Sequence, residues 1–196
     1  MRRRYGRGTT IEDFEQVLEA ARAGEAWAST ALFDALQPPL LRYLRWEEPS
    51  AADDIVGETW LALAERIGEF QGRETALRAW MFSVARGRVA DRRSSGARRR
   101  TQPVSPDQFV DVAGGPDPAD VVLGTLSAQQ AIDQLVAGLT PEQAQVIVLR
   151  VVGGLPVEDV AKVLGKRPET VRVTQHRALR RLGRQNSGDR TAPRGT

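Results

Sequence analysis

The sequence predicts an all-α protein with two small helical domains joined by a flexible linker. Apolar residues recur at a period of 3.6 through the first hundred residues, and no strand pattern interrupts them. The pattern stops between 95 and 125, where glycine and proline are frequent, and then resumes. The predicted parts are a basic N-terminal tail, a first domain, a linker, a second domain and a disordered tail: 1–10, 11–94, 95–125, 126–184 and 185–196.

The first domain begins with two predicted helices. Thr9 and Glu12 have the spacing of a capping box before an apolar stripe, and Gly24 is a plausible end of that helix. The second helical stretch contains Pro38 and Pro39. Since proline lacks the backbone N–H of a helical residue, we expect the chain to break or kink there before the apolar pattern resumes.

Two further helices complete the first domain. Ser50 is the predicted N-cap of the third helix, which Gly68 closes. Residues 70–76 are then predicted to form a loop, and a fourth helix is predicted over 77–93. Trp80 lies on the apolar stripe of this helix, so we expect it in the core and not stacked on a DNA base.

Helices are expected to resume after the linker. Ser127 and Gln130 have capping-box spacing, and Thr140 is followed by Pro141 at the first helical position. The linker itself is basic at its start, but its second part carries only acidic charges, which favours an extended, solvated chain.

Residues 139–184 have the pattern of a helix-turn-helix with a basic second helix. Gly165 can adopt the positive φ that the turn requires, and Pro168 fits the first position of the next helix. The residues of that second helix predicted to face inward are Val171, Thr174, Ala178 and Leu182.

The opposite face of that helix is the predicted DNA reader. Its candidate contacts are Arg172, Val173, Gln175, His176, Arg177, Arg180 and Arg181. Arg172 and His176 lie in the N-terminal half, where base edges are read, whereas Arg180 and Arg181 lie where phosphates would pass. A charged face can also be merely solvated, but clustered arginine is typical of phosphate binding.

Several functional classes are excluded or disfavoured by composition. The chain has no cysteine and a single histidine, which excludes thiolate sites and argues against zinc. Neither a signal peptide nor an apolar run long enough for a membrane span is present, so we expect a cytoplasmic protein without membrane insertion. Asp53, Asp54 and Glu58 could be imagined around a metal, but without a histidine or a phosphate loop they make a weak catalytic site. We therefore expect neither an enzyme nor a cofactor.

Three motifs in order resemble the extracytoplasmic-function sigma factors of bacterial RNA polymerase, which retain sigma regions 2 and 4. The motif at 52–72, ADDIVGETWLALAERIGEFQG, is similar to the helix that grips the polymerase clamp. The motif at 78–93, RAWMFSVARGRVADRR, is similar to the helix that melts and reads the minus-ten element, and 139–182 is similar to the minus-35 reader. The resemblance covers about 12–94 and 127–184.

The resemblance implies partners for the chain. These are core RNA polymerase, through the clamp of its largest subunit and the flap of its second largest, together with promoter DNA and, as a further candidate, an anti-sigma factor. Asp54 and Glu58, four residues apart on one helix face, and nearby Leu61 correspond to the clamp contacts. Without the family motif, the two carboxylates would read equally well as a solvated acidic face.

The resemblance also implies a minus-ten site. The loop at 70–76 corresponds to the pocket for a flipped base, and the arginines of the following helix are candidates for backbone contacts. The candidate residues are Gln71, Arg73, Glu74, Arg86, Arg88, Arg92 and Arg93.

Three residues depart from the family pattern. Gly87 stands where asparagine is common, Gly57 where glutamine is usual, and Thr174 where an aliphatic residue is preferred.

The implied function is promoter-specific initiation with core polymerase. The alternative is a helix-turn-helix regulator with a helical sensing domain, which would need no polymerase surface.

Overall fold

The computed structural model describes residues 11–94 and 128–189, and the side chains of 128–185 in the second range. The described residues form helices joined by short turns and loops, with no strand among them, which confirms the predicted all-α class. The helices in chain order are α1 (Phe14–Arg22), α2 (Ala26–Glu47), α3 (Ala52–Arg66), α4 (Glu74–Ser94), α5 (Ala128–Val136), α6 (Pro141–Val151), α7 (Val157–Leu164) and α8 (Pro168–Asp189). A single 3₁₀ turn, Pro49–Ala51, precedes α3.

Helices α1 to α4 pack around one apolar core. Its bulkiest buried side chains include Trp80, Tyr43, Phe70 and Phe82. Phe82 meets Tyr43 edge to face, with ring centroids 5.2 Å apart. Trp80 is 1% exposed, which confirms its prediction as a core residue.

Two of the predicted helix starts were wrong. The N-cap of α1 is Asp13, which adopts a left-handed conformation with φ 54° and makes no side-chain cap. The helix therefore starts later than the predicted box of Thr9 and Glu12, of which Thr9 is outside the described residues. The N-cap of α3 is Ala51 and not Ser50, because Ser50 lies inside the 3₁₀ turn that precedes this helix. The Ser50 hydroxyl donates instead to the Glu48 carboxylate at 3.0 Å.

Of the break or kink predicted at Pro38 and Pro39, the break is wrong, since α2 continues through both prolines. Each proline removes one intrahelical hydrogen bond. Burial on either side compensates: Leu36 is 2% exposed and Leu40 is 1% exposed. Core packing therefore holds a helix that local propensity opposes.

Helix α4 begins at Glu74, three residues before its predicted start. The Glu74 carboxylate accepts the backbone N–H of Ile11 at 2.7 Å and forms an ion pair with Arg78 one turn later. The predicted loop is therefore shortened, because Glu74 ties the start of α4 to the segment before α1.

Helices α5 to α8 form the second domain. Thr140 and Gln143 form a complete capping box, with Pro141 at the first helical position. Gly165 ends α7 at φ 63°, and Pro168 opens α8. The predicted partner box of Ser127 and Gln130 involves Ser127, which is outside the described residues.

The inward face of α8 was predicted correctly. Val171 and Ala178 are fully buried, and Thr174 and Leu182 are half-buried. The helix continues to Asp189, beyond the predicted domain end at 184. The predicted linker and both chain ends, apart from the last turn of α8, lie outside the described ranges.

The two domains contact each other. Helix α7 packs along α4, and α5 packs on α2, so the apolar clusters of both domains are continuous. The sequence predicted two tethered domains, and the contact between them is seen only in the structure.

The hydroxyl of Tyr43 is buried without a hydrogen-bond partner among the described residues. Burial, reinforced by the nearby Glu47 carboxylate, raises the pKa of Tyr43 above its usual range. In the unfolded chain this tyrosine loses its proton near pH 10, whereas in the folded protein it keeps the proton to a higher pH. Its contribution to the stability of the folded state is therefore fully present below about pH 10 and is lost as the pH rises above that value.

We expect Tyr43→Phe to raise the free energy of unfolding by about 1 kcal/mol at pH 7, because an unpaired buried hydroxyl is removed. Its advantage over the original chain should grow above pH 10. Urea unfolding at the two pH values measures both effects, with Tyr5→Phe as the control for the other tyrosine. A loss of stability at pH 7 would show that the hydroxyl has a partner.

Candidate promoter and polymerase interface

The predicted minus-35 reader presents a continuous polar face on α8. Val173, exposed by 49%, lies on this face with the arginines, and Gln175 is half-buried. The exposed polar members are Arg172, His176, Arg177, Arg180 and Arg181. Because Val171 and Ala178 anchor the opposite face, the packing of the helix-turn-helix presents the predicted reader residues together.

The cations of α8 differ in their ion pairs. Arg172 pairs with Glu158 on α7 and with Glu169, whose carboxylate is 3.5 Å away. In contrast, Arg177, Arg180 and Arg181 form no ion pair within the described part of the chain. Residues 177–181 of α8 therefore carry a stripe of positive charge that no described carboxylate compensates, which suits phosphate contacts.

Asp159 lies in the first turn of α7 and is only 7% exposed. Burial raises the pKa of its carboxyl, although a 3.2 Å hydrogen bond from Lys162 opposes that shift. The charge of Arg73, from the other domain, also acts on this carboxylate. Asp159 is therefore an acidic group held where α7 faces the first domain.

The predicted minus-ten loop is short and partly exposed. Gln71 and Arg73 are exposed on either side of Gly72, whose φ of 147° favours glycine. Glu74 faces inward: it is 9% exposed, and its carboxylate is already bonded to Ile11 and Arg78. Gln71 and Arg73 thus lie at the surface of this loop, whereas the carboxylate of Glu74 serves the fold.

The four predicted arginines of α4 are all engaged by protein atoms. Arg88 and Arg92 reach Glu58 on α3, at 3.4 Å and 2.8 Å. Arg86 donates to a backbone oxygen of the second domain. Arg93 binds the carboxylates at the end of α2, those of Glu47 at 2.7 Å and Glu48 at 3.0 Å.

The predicted polymerase contacts lie together on α3. The side chain of Asp54 is 73% exposed and that of Glu58 is 39% exposed. Arg92 is shared between them, since its guanidinium also lies 3.5 Å from the Asp54 carboxylate. The acidic face of α3 and the basic face of α4 are therefore one connected charge network.

Leu61 is 67% exposed and borders an apolar groove of about 800 Å³ between α2 and α3. Phe33 and Trp60 line the same groove, with ring centroids 5.2 Å apart. Sequence reasoning assigned Leu61 to the polymerase contact but placed neither aromatic residue beside it. An exposed leucine beside aromatic residues marks a contact patch.

Two of the departures from the family pattern have open space around them. A Cβ added to Gly57 or to Gly87 would meet no atom within 4 Å. Both positions can therefore hold a larger side chain without rearrangement.

The helices among residues 11–94 and 128–189 do not combine the length and hydropathy that a bilayer crossing demands.

Comparison with family models matches both domains. Residues 32–99 match the model described as Sigma-70 region 2, and residues 129–182 match Sigma-70, region 4. The first match contains α3 and α4, and the second contains the helix-turn-helix.

Full-length relatives agree with these matches. The chain is 34% identical to the ECF RNA polymerase sigma factor BldN of Streptomyces coelicolor over 86% of its own length, and it spans 64% of that protein. It is 29% identical to SigD of Mycobacterium tuberculosis, over 87% of this chain and 82% of SigD. It is 33% identical to SigL of the same species, over 84% of this chain and 92% of SigL.

A solved structure of CnrH in complex with the cytosolic domain of CnrY has a similar fold. The TM-score is 0.57 at 19% identity, and the match covers 90% of this chain and 98% of that one. Sigma factors are initiation factors, not enzymes: they bind core RNA polymerase and direct transcription from specific promoters. The chain belongs to the extracytoplasmic-function (ECF) sigma factors of bacterial RNA polymerase.

Proposed function

We propose that this chain joins core RNA polymerase through α3 and holds a promoter at two points, with α8 at the minus-35 element and α4 at the minus-ten element. The observation that carries the proposal is the separation of two unlike surfaces. An acidic and apolar face lies on the first domain around Leu61, and an uncompensated basic stripe lies on α8.

The polymerase contact is supported by the chemistry around Leu61. Exposed leucine and aromatic residues favour a partner that removes them from water, and the carboxylates of Asp54 and Glu58 favour basic groups at the rim. Core polymerase and the chromosome are both cytoplasmic, so we place this sigma factor in the cytoplasm.

The DNA contacts are divided by their chemistry. The N-terminal half of α8, with Arg172, Val173 and His176, would read base edges in the major groove. Gln71 and Arg73 would contact the flipped minus-ten base, and the arginines of α4 would bind the backbone of the opened strand. Promoter opening would then follow from tighter binding of the melted than of the paired state.

The helix-turn-helix regulator is not favoured. Such a protein has no need of a matched sigma region 2, whereas residues 32–99 match that region. An anti-sigma factor stays a prediction, since the likeness to CnrH supports only the fold.

Run-off transcription with core polymerase on a promoter library tests the proposal. We expect transcripts from a subset of promoters that share both elements, and none from core polymerase alone.

Asp54→Arg should reduce co-purification with core polymerase, because it puts a like charge against the basic rim of the partner. Glu15→Arg, the same charge change at an exposed position of α1, is the matched control. Absence of both transcripts and co-purification would refute the proposal.

A further inference from the structure

One arginine of the α8 reader face is held by a carboxylate from the neighbouring helix. Arg172 Nη2 donates to Glu158 Oε1, and Glu158 belongs to the first turn of α7. A second carboxylate near Arg172 is that of Glu169, 3.5 Å from Nη1 and one turn earlier on α8 itself. The pair of Arg172 and Glu158 therefore joins the two helices of the helix-turn-helix at the proposed minus-35 surface.

The two carboxylates differ in how well they can restrain the guanidinium. The Glu158 side chain is 23% exposed, whereas that of Glu169 is 76% exposed. Water and dissolved salt screen an exposed ion pair, so such a pair contributes little. Glu158 is therefore the stronger restraint on Arg172.

Glu158 also lies near a second arginine. Burial lowers the pKa of the Arg150 guanidinium in α6, and the charge of Glu158 opposes that shift. Arg150 Nη1 donates to the Leu155 carbonyl in the turn before α7. Charged groups from α6, α7 and α8 thus converge at Glu158, and the N-terminal end of α7 favours its negative charge.

Reading a base and holding a phosphate make different demands on an arginine. A base edge is recognised by a planar fork of N–H groups, so the guanidinium must be oriented. A phosphate attracts positive charge from several directions. Arg180 and Arg181, which lie where phosphates would pass, have no ion pair in the described part of the chain, whereas Arg172 has one from another helix. The restrained arginine is thus the one placed to read a base.

A carboxylate at this position is unfavourable for DNA binding in general, because it repels the phosphates of any sequence. A fixed arginine, in contrast, favours the base pair whose acceptors match its direction. Restraint of one long side chain before binding is worth about 2- to 12-fold in affinity for that base pair. Lower general affinity together with sharper discrimination is the combination expected of a positioning residue.

We propose that Glu158 is a specificity-determining positioning residue, whose carboxylate fixes the guanidinium of Arg172 for one base pair of the minus-35 element. A bond to Glu158 leaves the other N–H groups of the guanidinium to form a fork toward the base. The inference rests on the proposed function, since it requires Arg172 to read a base edge.

Promoter discrimination measures this role. The full chain, assembled with core polymerase, is titrated on a promoter recovered from the run-off library and on the same promoter with one minus-35 base pair replaced. The base pair chosen is the one whose preference Arg172→Ala relaxes. We expect Glu158→Ala to reduce the ratio of the two affinities by about three- to tenfold, without weakening binding to the replaced promoter. Glu158→Gln keeps an acceptor of the same length and should retain part of the ratio.

A double-mutant cycle shows whether Glu158 acts through Arg172. In the Arg172→Ala background, Glu158→Ala should leave the ratio unchanged, because no guanidinium remains to be positioned. An equal reduction in both backgrounds would overturn the proposal, since Glu158 would then read the base by itself. A uniform loss of affinity for both promoters would also overturn it, because that loss is expected of a carboxylate that only supports the fold.

Two further glutamates provide matched controls. Glu142→Ala removes a carboxylate paired with Lys166 in the same domain, and Glu169→Ala removes the exposed carboxylate near Arg172. Neither should change the ratio by more than about twofold. A loss with Glu169→Ala as large as that with Glu158→Ala would contradict the role given to α7. Helical circular dichroism checks that every variant is folded.

The same titrations separate this inference from the proposed function. If Arg172→Ala relaxes a preference and Glu158→Ala does not, only the positioning role of Glu158 is wrong. If Arg172→Ala leaves the preference at every minus-35 base pair unchanged, the base-reading role proposed for Arg172 is wrong, and the positioning role is refuted with it.

Discussion

Leu61→Asp is expected to weaken binding to core RNA polymerase by more than tenfold. Leu61 is 67% exposed beside an apolar groove, so a partner that covers it removes a leucine side chain from water. That burial is worth about 1–2 kcal/mol, or about 5- to 30-fold in affinity, and a carboxylate in the same place adds the cost of burying a charge. Titration of labelled core polymerase measures the change.

Leu61 is a sharper probe of this surface than the neighbouring acids. Reversal of Asp54 or Glu58 also disturbs the ion pairs with Arg92, so a loss of activity could arise at the DNA face. Leu179→Asp is the matched control, because that leucine is 52% exposed on α8 in the other domain. Equal affinity of the Leu61→Asp variant and the original chain for core polymerase would exclude this face as the clamp contact.

Arg172→Ala and Arg181→Ala are expected to damage promoter binding in different ways. Arg172 lies in the half of α8 that enters the major groove, so its loss should cost about 1–3 kcal/mol at one base pair and relax the preference there. Arg181 has no ion pair within the described residues and lies where phosphates pass. Its loss should weaken all sequences by about fivefold near 0.15 M salt and reduce the salt slope by about 0.9.

These effects are separable by titrating the holoenzyme on two promoters that differ at one minus-35 base pair, at several salt concentrations. Gln16→Ala on α1 is a control remote from α8. If both arginine variants lost discrimination equally, the division of α8 into a base-reading and a phosphate-binding half would be incorrect.

The local sequence was sufficient to predict those structural features that depend only on neighbouring residues. Gly165 and Pro168 marked the turn of the helix-turn-helix because their backbone preferences act within a few residues. Val171 and Ala178 identified the inward face of α8 from periodicity alone. Trp80 was assigned to the core for the same reason.

Local rules failed where a distant partner supplied the energy. The start of α4 depends on Glu74, whose carboxylate bonds the N–H of Ile11, 63 residues away. The continuity of α2 through Pro38 and Pro39 depends on core packing. Phe33 and Leu61 form one apolar surface only after α2 and α3 have packed together.

By itself, the sequence determined the helical class, the division into two domains and the residue types available to polymerase and DNA, because periodicity, turn residues and charge are properties of short segments. Only the tertiary structure decided which charges neutralise one another and that α7 packs against α4. Those contacts join residues far apart in the chain, and burial of apolar surface depends on shape that no local pattern encodes.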